Sequence, residues 1–109
     1  MAQDLGNEKE DSPIVVQVAW TKRASRQLGE IFDYINLDSE ENALAVGRRI
    51  EIAVSILSRH PESGRPGRIA GTREFVDPET GFIIGYRVGT KGVRILRIQR
   101  GAKSWPARF

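Results

Sequence analysis

The chain has 109 residues, 39% hydrophobic and 28% charged, which is one domain's worth of polypeptide with enough apolar content to fold. It has no cysteine, which excludes a disulfide scaffold and a thiolate metal site and suits a reducing cytoplasm; no apolar run approaches the roughly 18 residues of a membrane span, and the acidic N-terminus is unlike an export signal. Net charge is +3, but residues 1–13 hold four acids against Lys9, so the remainder carries 16 bases against 10 acids.

Met1 to Ser12 is polar and aperiodic and reads as a flexible extension, with one domain over residues 13–109. Ile14 to Trp20 is β-branched and aromatic, a first strand, and Thr21 stands where a helix N-cap belongs. Ala24, Leu28, Ile31, Phe32 and Ile35 recur every three or four residues and predict an amphipathic helix over 22–37. Asp38-Ser39 breaks it. Ser39 then caps a second helix with Glu40 and Glu41 in its first turn and Ala43, Val46, Ile50, Ala53, Val54 and Leu57 along its apolar stripe.

After His60, the prolines and glycines of residues 61–68 force a loop. Thr72 to Val76, Phe82 to Val88 and Val93 to Ile98 read as three strands joined by connections short enough for antiparallel hairpins. The order β-α-α-β-β-β predicts an α+β fold, an N-terminal strand and a helical hairpin followed by a three-stranded antiparallel meander, with the hairpin packed on one face of the sheet. Gly64 to Arg68 is no phosphate-binding loop, because no Gly-Lys-Ser/Thr follows and no helix begins there. No carboxylate–histidine set has metal-ligand spacing, so neither a metal site nor any other cofactor is expected.

Trp20-Thr21 precedes the first helix, Asp33-Tyr34-Ile35 lies near its end, and His60-Pro61 closes the second. Gly64-Arg65-Pro66-Gly67-Arg68, Gly71-Thr72-Arg73-Glu74, Ile84-Gly85-Tyr86-Arg87-Val88, and Ile95-Leu96-Arg97-Ile98 with Gly101 and Trp105-Pro106 follow. In this order and spacing the segments resemble successive elements of the RelE/ParE superfamily, the toxins of type II toxin–antitoxin and plasmid-stabilisation systems. The resemblance spans residues 14–106. It implies a cytoplasmic growth-inhibiting toxin and a cognate antitoxin whose acidic, apolar C-terminal segment folds around it. It also allows a toxin–antitoxin hetero-oligomer.

The resemblance further implies one of two activities. RelE-like members act with the ribosome as endonucleases on mRNA, a transfer that needs a base, an acid and cations around the phosphate. ParE-like members inhibit DNA gyrase by binding it. Where nuclease relatives carry a basic residue two positions after the turn glycine, this chain has Ile83; where they carry paired lysines it has Arg73, Glu74, Phe75 and Val76; and where many relatives have His-Gly it has Arg100-Gly101. Guanidinium does not shuttle protons. A ParE-like, non-enzymatic gyrase inhibitor is therefore the favoured expectation, with a RelE-like ribosome-dependent endonuclease as the alternative, in which Arg65, Arg73 and Arg100 would be the catalytic candidates.

His60 reads as a helix terminus, Glu74 as an ion-pair partner of Arg73 or Arg87, and Tyr86 as core beside Phe82, Ile84 and Val88. Thirteen of the 17 bases are arginine, whose planar fork suits carboxylate and phosphate. Arg87 and Arg97 are expected on the sheet face opposite Tyr86, Leu96 and Ile98. With Arg73, Arg94, Arg100 and Trp105 they form the candidate surface for target or antitoxin, which charge reversal at Arg87 and Arg97 is expected to weaken.

Overall fold

The computed structural model describes residues 15–101; the extension at 1–12 and Trp105 lie outside them. In chain order the elements are β1 (Gln17–Trp20), α1 (Lys22–Asp38), α2 (Glu40–Arg59), β2 (Arg65–Pro66), β3 (Arg73–Val76), β4 (Ile83–Gly89) and β5 (Gly92–Gln99). Both helix starts are capped by side chains: Thr21 Oγ1 accepts from the Ala24 amide at 3.2 Å, and Ser39 Oγ accepts from Asn42 at 3.1 Å. Ser39 serves twice, since its own amide also donates to Ile35 and closes α1. One extended residue thus turns the chain between two helices.

The strands form one mixed five-stranded sheet in the order β1-β5-β4-β3-β2. The expected meander is present as β3-β4-β5, and the N-terminal strand joins it by pairing parallel to β5. Two details differ from the sequence reading. The first strand begins at Gln17 instead of Ile14, and the loop over 61–68 contributes the two-residue strand β2, paired antiparallel with β3. A strand so short, containing proline, can survive only at an edge, where no further ladder bond is needed.

Ala24, Ile35, Val46, Ile50, Ala53 and Leu57 of the helices pack on Ile84, Tyr86, Val93, Ile95 and Ile98 of the sheet and on Phe82 just before β4. Among the described residues the helices therefore cover one sheet face and leave the other open. No helix among the described residues is long and apolar enough to cross a membrane.

Tyr86, fully buried, ties the loop after α2 to this core: its hydroxyl accepts from the Gly64 amide at 2.9 Å and donates to the Pro61 carbonyl at 2.7 Å. Position 64 tolerates only glycine, because a Cβ there would lie 2.7 Å from the Tyr86 hydroxyl and 2.9 Å from the Glu74 carbonyl oxygen. Replacing Tyr86 by Phe leaves a buried amide without its acceptor, and we expect a stability loss of about 1–3 kcal/mol in urea unfolding at unchanged m. A midpoint equal to wild type would show that the loop is held by other contacts.

Candidate functional site

Two ionic arrangements organise the molecule. The first is structural. Arg49 of α2 reaches Asp77, at the end of β3, with Nη2 at 2.7 Å from Oδ1 and Nε at 3.4 Å from Oδ2. The same carboxylate accepts from the Thr80 amide at 2.9 Å and the Thr80 hydroxyl at 2.7 Å, so it fixes both the β3–β4 turn and its attachment to the helical layer. Burial, the strongest single influence, pushes the Asp77 carboxyl up, but the Arg49 guanidinium and Thr80 outweigh it and hold the group below its ordinary range.

The second lies on the open face of the sheet. Glu74 pairs with Gly85 and Gly85 with Arg97 across the ladder, which puts Glu74 and Arg97 on the side away from the helices. Glu74 is only 4% exposed, yet Arg65 Nη2 stands 3.1 Å, Arg97 Nη2 3.5 Å and Arg68 Nε 3.6 Å from its carboxylate. Gly85 permits this: a Cβ there would sit 3.1 Å from Arg97 Cγ. Burial pushes the Glu74 carboxyl up, but the hydrogen bonds from Arg65 and the Arg68 amide, with the charges of both arginines, hold it below its usual range. One anion thus organises three cations that continue outward into solvent.

Farther along the same face, Arg87 and Arg94 are direct cross-strand partners and both are exposed. Among the described residues neither has a carboxylate partner. A cavity of about 350 Å³ lies at the other end, lined by Ile69, Leu96, Thr21, Arg23, Thr72, Glu74, Gly85 and Arg97. Its wall therefore combines two apolar side chains with two cations. Ile69 is 62% exposed.

The structure rearranges several expected placements. Glu74 engages Arg65, Arg68 and Arg97, not Arg73 or Arg87. Leu96 was expected opposite Arg97, but the two line the same cavity. The cause is a bulge: Gly85 pairs with Arg97 and Tyr86 with Ile95, leaving Leu96 as an extra residue that resets the alternation. Arg73, paired with Tyr86, falls on the opposite side from Glu74 and donates to the carbonyls of Gly64 at 2.9 Å and Glu62 at 3.3 Å.

Arg100 leaves the sheet altogether, its guanidinium 5.5 Å from the centroid of the Tyr34 ring on α1. Arg65, Arg73 and Arg100 accordingly engage three different sets of partners. His60 closes α2 through its backbone, its amide donating to Ile56 at 2.7 Å. Arg68 and Arg23 were not singled out from sequence. The visible signal for Arg68 was its place behind Pro66-Gly67, which turns the chain back over β3.

Residues 18–105 match the family model described as ParE toxin of type II toxin-antitoxin system, parDE. The chain is 43% identical over 90 residues to the toxin-named protein Y4kP of Sinorhizobium fredii, covering 83% of this chain and 93% of that protein. It is 36% identical over 89 residues to Toxin RelE2 of Caulobacter vibrioides, covering 82% and 99%. Among solved structures, the chromosomal ParDE system of P. aeruginosa contains a chain similar at TM-score 0.70 and 31% identity, covering 80% of this chain and 97% of that one. The toxin–antitoxin complex RelBE2 of Mycobacterium tuberculosis contains one at TM-score 0.57 and 27% identity, covering 83% and 95%.

Proposed function

Since this chain belongs to the ParE toxin family of type II toxin–antitoxin systems, we propose that it arrests growth by binding and inhibiting DNA gyrase and that a cognate antitoxin silences it. The observation that carries the gyrase reading is the state of Glu74. A carboxylate buried under three guanidiniums and held ionised is a counter-ion, poorly suited to taking up and returning a proton near neutral pH. Tyr86, the one phenol of the described strands, spends its hydroxyl on Gly64 and Pro61. Such a face is equipped to hold an acidic partner in place, through preset arginine forks, and this supports recognition over phosphate cleavage.

The antitoxin half of the proposal follows from the same surface and from the relatives whose structures are toxin–antitoxin systems. An acidic, apolar segment would find cations along Arg65, Arg68, Arg87, Arg94 and Arg97, and an apolar seat at Ile69 and Leu96. The name of the relative RelE2 favours a second reading, ribosome-dependent cleavage of mRNA.

One induction experiment separates the two. With the chain expressed alone, we expect growth arrest with relaxed plasmid supercoiling or a DNA-damage response in the first minutes while transcripts stay intact. Codon-phased cuts in mRNA preceding any DNA damage would establish the nuclease, and undisturbed growth would overturn both readings.

A further inference from the structure

The end of the open face that receives β1 carries cations and no acidic residue in its lining. A groove of about 450 Å³ is lined there by Arg87, Lys91 and Arg94 together with Gln17 and Ala19 of β1. All three cations are exposed, and among the described residues none of them has a carboxylate partner. The chain enters the fold at this spot. Gln17 pairs with Gly92 and Ala19 with Arg94, while Val16 is anchored to Ser58 through its amide at 2.9 Å and its carbonyl at 2.8 Å.

The residues that lead into β1 have the complementary composition: Asp4, Glu8, Glu10 and Asp11 against the single base Lys9. They also lie ahead of the stretch matched by the family model, which begins at residue 18. We infer that this acidic N-terminal segment is the occupant of the Arg87–Lys91–Arg94 groove, an intramolecular cover over the cations that an acidic partner would otherwise meet.

Reach and concentration both allow it. At about 3.3–3.6 Å per extended residue, the six steps from Gln17 back to Asp11 span roughly 20 Å, about the width of four strand spacings. Tethering of this length gives an effective concentration on the order of millimolar. Ion pairs at an exposed groove are individually weak, but at that concentration a few of them suffice to populate the contact. The contact is electrostatic, so it weakens as the screening length falls from about 10 Å at 0.1 M salt to about 3 Å at 1 M.

Because the sequence has no cysteine, Asn7→Cys places a single nitroxide spin label on the full chain. At low salt we expect the amide NMR signals of Gly89, Lys91, Gly92 and Arg94 to lose at least half their intensity, with those of α1 unaffected. Intensity should return at 1 M salt, and in a variant combining Asp4→Asn, Glu8→Gln, Glu10→Gln and Asp11→Asn. No localised loss, loss centred on another surface, or loss that survives the four neutralisations would each overturn the inference. Broadening in a mixture of spin-labelled unenriched chains with unlabelled nitrogen-15 chains would overturn it as well, since the occupant would then be a second copy's segment. The readout is proximity, so its failure leaves the toxin reading untouched, and failure of that reading leaves it untouched in turn.

Discussion

Replacing Asp77 by Ala is expected to remove about 3 kcal/mol of stability, which for a domain of this size lowers Tm by on the order of 15 °C. The carboxylate is 3% exposed and receives Arg49, the Thr80 amide and the Thr80 hydroxyl, while Arg49 is 26% exposed. Truncation therefore leaves two turn donors without their acceptor and a largely covered guanidinium whose remaining carboxylate partner is the exposed Glu79, at 3.5 Å. Breaking one side of a buried pair costs more than the pair itself contributes, because the charge left behind is only weakly compensated, here by the exposed Glu79. Asp77→Asn keeps an acceptor for Thr80 and should lose less. Adding Arg49→Met to Asp77→Ala should recover part of the deficit, which a double-mutant cycle by urea unfolding would measure. Losses below about 0.5 kcal/mol in both single variants would refute the structural role.

The same carboxylate gives stability a pH dependence of fixed sign. The Asp77 carboxyl is held below its ordinary value of 3.8 and the Glu74 carboxyl below 4.5 in the folded chain. Each contribution is therefore fully present above those ordinary values and is lost as pH falls through the lower folded values. Acid unfolding should steepen below about pH 4.5, and Asp77→Ala should flatten the part of that slope that lies below about pH 3.8. A variant with an unaltered acid profile would assign the dependence to other groups.

What the sequence made legible was local. Thr21 and Ser39 were readable as caps because a cap is decided by one side chain and an amide three residues on. The helical stripes were readable because Ala24, Ile35, Val46 and Leu57 repeat on one face. The parts that were missed depend on registers between distant segments. Period-2 counting put Leu96 opposite Arg97 because it presumes a strand without an extra residue, and the bulge at Gly85/Tyr86 breaks that assumption. The partners of Glu74 come from β2, from the loop behind it and from β5, so no spacing along β3 could have named them. Arg100 looked like a continuation of the β5 arginines, but the strand ends at Gln99 and the next side chain turns to Tyr34.

These corrections change which substitution best probes antitoxin binding. Reversing Arg97 would aim a second carboxylate at Glu74, which Arg97 now meets at 3.5 Å, and the fold would suffer before any interface was tested. Arg87 and Arg94 avoid that difficulty: both are exposed, they face each other across β4 and β5, and neither holds a described carboxylate. Arg87→Glu with Arg94→Glu keeps one like-charged pair in place of another, so cross-strand repulsion and stability should stay nearly constant. For the proposed acidic antitoxin segment, the local field would change from attractive to repulsive. Affinity at 0.1 M salt should fall about 100-fold, mostly through the association rate, and the difference should shrink as salt rises. Surface plasmon resonance at two salt concentrations reads both effects. An affinity within threefold of wild type would move the acidic segment away from this end of the sheet, toward Arg65, Arg68 and the Ile69–Leu96 cavity.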